Sequence, residues 1–172
     1  HSRCDREAAR GKQTGRTVEI QRLIGRSLRS CIDFHRLGDY TLVVDCDVLQ
    51  ADGGTRTTAI NGSMVALVQA MQKLQYAKKL KNDPIKHLIT ACSIGIIGDS
   101  IRLDLDYSED SQADVDANII LTEHGDIVEV QGTAEGAPFS PQQLSDMMAL
   151  AQQSQASLLK AMHNCLTQDP HN

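Results

Sequence analysis

The stretch Asp45-Cys46-Asp47-Val48-Leu49-Gln50-Ala51-Asp52-Gly53-Gly54-Thr55-Arg56-Thr57 constrains this chain most. The run before it, residues 40–44, is apolar and β-branched, and residues 40–49 read as a strand too hydrophobic to face solvent. After it, Ala59, Ile60, Met64, Leu67, Val68, Met71 and Leu74 recur at helical spacing. A strand that runs into a glycine pair opening a helix builds an anion site. The first N–H groups of a helix have no internal partner and carry the positive end of its dipole. Gly53 and Gly54 let the backbone approach a ligand, Thr55 adds a hydroxyl, and Arg56 adds a planar cationic fork suited to phosphate. The spacing is not that of a P-loop, which needs a lysine after its glycines. The plainer alternative is an ordinary helix start with a surface arginine.

The second constraint is acidic. Asp104, Asp106, Glu109, Asp110, Asp114 and Asp116 place six carboxylates within thirteen residues, at a connection between two expected strands. Such a density repels unless a cation neutralises it, and Mg²⁺ is the natural candidate because it binds through one or two carboxylates plus waters and phosphate oxygens. A solvated acidic loop is the alternative. A phosphate cradle and a carboxylate cluster in one small domain are together what metal-assisted phosphoryl chemistry requires. The six histidines are scattered, and no Ser–His–Asp or Cys–His arrangement is suggested.

Around these stretches the chain reads as an α+β or α/β arrangement of helices on a mixed sheet. A helix is expected from Arg16, with Ile20, Leu23, Ile24, Leu28, Cys31 and Ile32 on its apolar side and Arg22, Arg26 and Arg29 on another. Residues 87–97 and 101–107 flank Gly98-Asp99-Ser100 as one hairpin, and 115–122 and 127–132 flank Glu123-His124-Gly125-Asp126 as a second. Ser140-Pro141-Gln142-Gln143 opens a last helix, with Ser as cap, Pro in the first turn and Gln placed to complete a capping box. Residues 167–172 are expected to fray.

Composition narrows the function. Aromatic residues make up only 3% of the chain and tryptophan is absent, so the core is aliphatic and stacking platforms for RNA bases are disfavoured. The formal net charge is −5, yet residues 1–36 hold nine Lys/Arg against four acids. A basic head on an acidic body points to a polyanionic partner, or to a solvated helix face. The five widely spaced cysteines include no CxxC pair, which argues against zinc or disulfide frameworks and fits a reducing, cytoplasmic setting. No run is long and apolar enough to suggest a membrane span, so no membrane partner is expected.

Arg6-Glu7-Ala8-Ala9-Arg10-Gly11-Lys12-Gln13, Gly15-Arg16-Thr17, Glu19-Ile20-Gln21-Arg22-Leu23-Ile24-Gly25-Arg26, the 45–57 stretch, Asp106-Tyr107-Ser108-Glu109-Asp110 and Val128-Glu129-Val130-Gln131-Gly132-Thr133-Ala134-Glu135-Gly136 together resemble bacterial ribonuclease PH, across nearly the whole chain. The resemblance implies a ribosomal-protein-S5-domain-2-like fold. It implies a phosphorolytic 3′→5′ exoribonuclease that trims 3′ trailers from tRNA precursors, with inorganic phosphate as co-substrate and Mg²⁺ or Mn²⁺ as metal. The assembly implied is a homo-oligomeric, hexameric ring, a trimer of dimers. By matching motif, Arg16, Gly54, Thr55 and Arg56 would hold phosphate. Asp110 and Asp116 would be the catalytic, metal-binding carboxylates. Arg3, Arg6 and Arg10, in a basic loop over residues 1–15, would hold RNA, with Asp45, Asp47 and Asp52 in support. Residues 1–172 would form one domain lacking the opening part of a typical member. A ring subunit that binds RNA without catalysis, and a metal-dependent phosphate-ester hydrolase, are the rival expectations.

Overall fold

A computed structural model describes residues 11–167. The chain enters α1 (Gly15–Ser30), whose cap Thr14 accepts the Thr17 N–H at 3.3 Å, then a short α2 (Phe34–Leu37). After the 40–49 stretch comes α3 (Thr55–Tyr76). Strands β1 (Ile89–Ile97) and β2 (Ser100–Leu103) form a hairpin whose turn begins at Gly98, with φ +58°. A single turn, α4 (Tyr107–Asp110), leads to β3 (Val115–Thr122) and β4 (Ile127–Ala134), and α5 (Pro141–Thr167) closes the chain. Both expected hairpins are present. The capping box that opens α5 is also formed: Gln143 N donates to Ser140 Oγ (3.2 Å) and Ser140 N to Gln143 Oε1 (2.8 Å).

The fold is α+β. Its sheet has the order β2-β1-β3-β4, and every pairing among the described residues is antiparallel, where the sequence suggested a mixed sheet. Helices cover both faces. On one side Leu23 and Leu28 of α1 and Ile60, Met64, Leu67 and Met71 of α3 pack against Ile89, Ala91 and Ile120. On the other, Met147 and Ala151 of α5 pack against Ile94, Ile96, Val115, Ala117, Ile119 and Leu121. The alternation of β1 and β3 between these two clusters is the period-2 geometry of a strand buried on both sides. Where β2 is too short to cover the edge of β1, the Asn61 amide of α3 does so. It donates to Ala91 O and accepts from Ala91 N, both at 2.8 Å.

The stretch 40–49 corrects the sequence reading. It has no regular secondary structure and adds no strand to the sheet among the described residues. It lies across α1 and α3, with Leu42 against the core and Cys46 Sγ 3.2 Å from Ser63 Oγ, while Val43 and Leu49 are 87% and 95% exposed. Apolar β-branched residues favour an extended backbone, but a strand exists only where a neighbouring strand takes up its ladder bonds.

Burial raises the Cys31 thiol to about 11, as expected of a packed rather than a reactive thiol. No helix among the described residues is long and apolar enough to cross a membrane.

Candidate functional site: an anion cradle facing two carboxylates

The face of the sheet under α1 and α3 changes character along its length. Ile89, Ala91 and Ile120 form its apolar end. Beyond them, register aligns Ser93, Asn118 and Gln131 in one row and Gly95, Asp116 and Thr133 in the next. Side chains paired across antiparallel strands share a face, so the second half of this surface is polar. The N-terminus of α3 sits over that polar half.

Two glycines make the seating possible. A Cβ on Gly53 would lie 1.7 Å from Leu105 O, so the chain passes here only without a side chain. Gly54 caps α3 in the left-handed region (φ +66°, ψ 22°) and brings no capping side chain. The first α-helical bond runs from Thr58 N to Gly54 O at 3.0 Å, leaving the Thr55, Arg56 and Thr57 N–H groups ahead of it. Asp52 braces the entry by accepting from Gly53 N (3.0 Å) and from Tyr107 N (2.7 Å), which ties the cradle to α4. The supporting role expected of Asp52 is thus visible as two hydrogen bonds.

Arg56 leans onto α1. Its Nε and Nη2 both donate to Glu19 Oε2, at 3.2 and 3.0 Å, and Glu19 Oε1 accepts from Gln131 Nε2 at 3.2 Å. Arg16 is exposed at the second residue of α1, three residues before Glu19, and so one turn away on the same side of the helix. Buried beneath the cradle is Ser93, whose Oγ has no hydrogen-bond partner among the described residues and lies 3.5 Å from the point a Gly54 Cβ would occupy.

The acidic stretch divides by role. Asp106 and Glu109 form the capping box of α4, Glu109 also pairs with Arg102, and Asp114 accepts the Gly98 N–H at 2.8 Å. Asp110, on α4, and Asp116, on β3, make no side-chain hydrogen bond among the described residues. Burial, then the Asp110 charge, hold the Asp116 carboxyl above the ordinary carboxylate range, with Glu135 and Glu19 adding to this and Arg56 opposing it. The structure therefore brings Arg56, Asp110 and Asp116 into one electrostatic neighbourhood. Two neighbouring carboxylates could take a divalent cation completed by water and phosphate oxygens. No group of three or more His, Cys, Asp or Glu side chains forms a metal-binding cluster among the described residues.

Arg3, Arg6 and Arg10 lie outside the described residues, as does the expected tail beyond Thr167. The described histidines belong to other places: His35 on α2, His87 ahead of β1, His124 in the β3–β4 turn and His163 on α5. Sequence reasoning passed over Glu19, Gln131 and Ser93. Nothing in their spacing marks them, because they meet the cradle only through the register of β4 and the packing of α1.

The fold is an α+β domain in which the uncapped N-terminus of α3 shares an electrostatic neighbourhood with Asp110 and Asp116. Two family models match the chain. The description "3′ exoribonuclease family, domain 1" matches residues 2–72 and "3′ exoribonuclease family, domain 2" matches residues 87–154. The chain belongs to the 3′ exoribonuclease family. Its fold is similar to that of rice (Oryza sativa) Rrp46, with a TM-score of 0.66 at 19% identity, covering 92% of this chain and 70% of that one. It is also similar to a chain of the Archaeoglobus fulgidus exosome with RNA bound to the active site, with a TM-score of 0.65 at 15% identity, covering 88% of this chain and 63% of that one.

Proposed function

We propose that this chain carries the catalytic site of a phosphorolytic 3′→5′ exoribonuclease that trims 3′ trailers from tRNA precursors and works in a homo-oligomeric ring. The observation that carries the reading is the uncapped N-terminus of α3, with Arg56 at its first turn, set within electrostatic reach of Asp110 and Asp116. In this reading the Thr55, Arg56 and Thr57 N–H groups, the Arg56 fork and Arg16 bind inorganic phosphate. Asp110 and Asp116 would hold Mg²⁺ or Mn²⁺, which would supply charge neutralisation at the reacting phosphorus. A phosphate oxygen attacks the terminal phosphodiester and the P–O3′ bond breaks. The last nucleotide leaves as a nucleoside 5′-diphosphate, and the shortened RNA keeps a 3′-hydroxyl that takes up a proton. The chain's contribution is positioning and electrostatics, with no covalent intermediate. Arg3, Arg6 and Arg10 would grip the RNA backbone.

A second reading is a ring subunit that binds RNA without turnover. Retention of Arg16, Thr55, Arg56, Asp110 and Asp116 favours catalysis. The test is to incubate a tRNA bearing a short 3′ extension with the protein and Mg²⁺, with and without inorganic phosphate. Nucleoside diphosphates formed only with phosphate, and a steeply raised phosphate requirement in Arg56→Ala, are expected. Monophosphates would establish hydrolysis instead, and intact RNA bound by the protein would establish the scaffold reading.

A further inference from the structure

Arg56 is gripped along one edge. A guanidinium has five N–H donors in a rigid plane. The Nε and Nη2 donors both go to Glu19 Oε2, leaving the Nη1–Nη2 edge for an incoming anion. Glu19 is itself fixed, because Gln131 Nε2 holds its second oxygen. The chain Gln131–Glu19–Arg56 therefore links β4, α1 and α3, and orients the cation from outside the cradle. The Arg56 and Glu19 side chains are only 24% and 34% exposed, so solvent screens their attraction less than that of a surface pair.

The same carboxylate opposes the ligand. An anion arriving at Arg56 finds one negative charge already there, and Asp110 and Asp116 nearby. Holding the guanidinium plane strengthens binding, while the charge on Glu19 weakens it. These two effects separate on substitution. An amide at position 19 still offers an oxygen to Arg56, and its NH₂ replaces the oxygen that accepts from Gln131 Nε2, so that Gln131 turns its amide over to present Oε1 instead. A methyl group at position 19 offers neither.

We propose that Glu19 is a positioning residue for phosphate: it selects the edge of Arg56 presented to the ligand, and its charge limits how tightly the site binds. This inference rests on the phosphate-dependent reading of the cradle. Glu19 is expected to act on phosphate affinity and to leave RNA affinity unchanged.

The test compares Glu19→Gln and Glu19→Ala with the unmodified chain, reading the phosphate KM and RNA KM in phosphorolysis, and the binding of inorganic phosphate by calorimetry without RNA. Glu19→Gln is expected to lower the phosphate KM by about three-fold, the scale of one partly screened charge pair. Glu19→Ala is expected to raise it about ten-fold, the equivalent of losing one oriented charged hydrogen bond. Neither is expected to move the RNA KM. Shifts of the same sign in both variants, or no shift in Glu19→Gln, would overturn the inference. If Glu19→Ala fails to fold, the direction of the Glu19→Gln shift still decides. An unmodified chain that neither binds nor requires phosphate would remove the parent reading and this one together. A phosphate-dependent chain with unresponsive variants would remove only the role of Glu19.

Discussion

β1 and the stretch 40–49 are made of similar residues and live in different surroundings. Ile89–Ile97 is paired with β2 and β3 and is buried along nearly all its length. The 40–49 stretch has no place in the sheet among the described residues. It is bordered by a cavity of about 780 Å³ against α3 and one of about 880 Å³ against α1. Both segments favour extended backbone, since β-branched side chains restrict it that way. What separates them is the presence of neighbours. The hairpin turn at Gly98 delivers β2 to one edge of β1, and the connection through α4 delivers β3 to the other. A strand is thus a relation between segments, and local preference makes a segment available for it without supplying the partner.

The largest test of this contrast is in the core. Ile94 is fully buried between the sheet and α5, so Ile94→Ala should cost about 2–5 kcal/mol in urea unfolding, from lost burial and the cavity left behind. A loss near zero would mean that β1 is not the packed centre of the molecule.

A smaller effect sharpens the contrast within the sheet, between its apolar and polar ends. The folded chain holds the Asp116 proton to higher pH than the unfolded chain does, because burial and Asp110 disfavour the carboxylate. In the window between the unfolded and folded values the native state binds more protons. Stability therefore falls as pH rises through that window, and the charged carboxylate stays destabilising above it. Asp116→Asn should flatten this slope and leave the variant at least as stable as the parent at neutral pH. A thermal-melt series against pH checks this. A variant that melts lower at neutral pH would show that the carboxylate has a favourable partner.

The smallest effect is expected in the 40–49 stretch. Leu49 is almost fully exposed, and Leu49→Ser should change stability by no more than about 0.5 kcal/mol. A cost of several times that would show that the stretch is covered in solution, and would place it with β1.

Several parts of the site were legible along the chain because they depend on local chemistry. Gly53-Gly54 before an apolar-periodic run announces a helix start, which the left-handed Gly54 caps, while the close approach at Gly53 is to Leu105 of the chain itself. The two hairpins and the capping box of α5 were legible for the same reason. The density of acids between the hairpins was visible too. The division of that cluster into capping, pairing and site-facing carboxylates was not, because it depends on Arg102 of β2 and the N–H of Gly98.

The sequence by itself determined the three long helices α1, α3 and α5, the two hairpin turns and, through its motif blocks, the family. These rest on interactions within a few residues, or on residue types that only one backbone geometry accepts. The tertiary structure alone decided that 40–49 stays out of the sheet, that the polar half of one sheet face lies under α3, and that Glu19 and Gln131 orient Arg56. Each of those facts joins residues far apart in the chain, and only strand register and helix packing bring them within hydrogen-bonding distance.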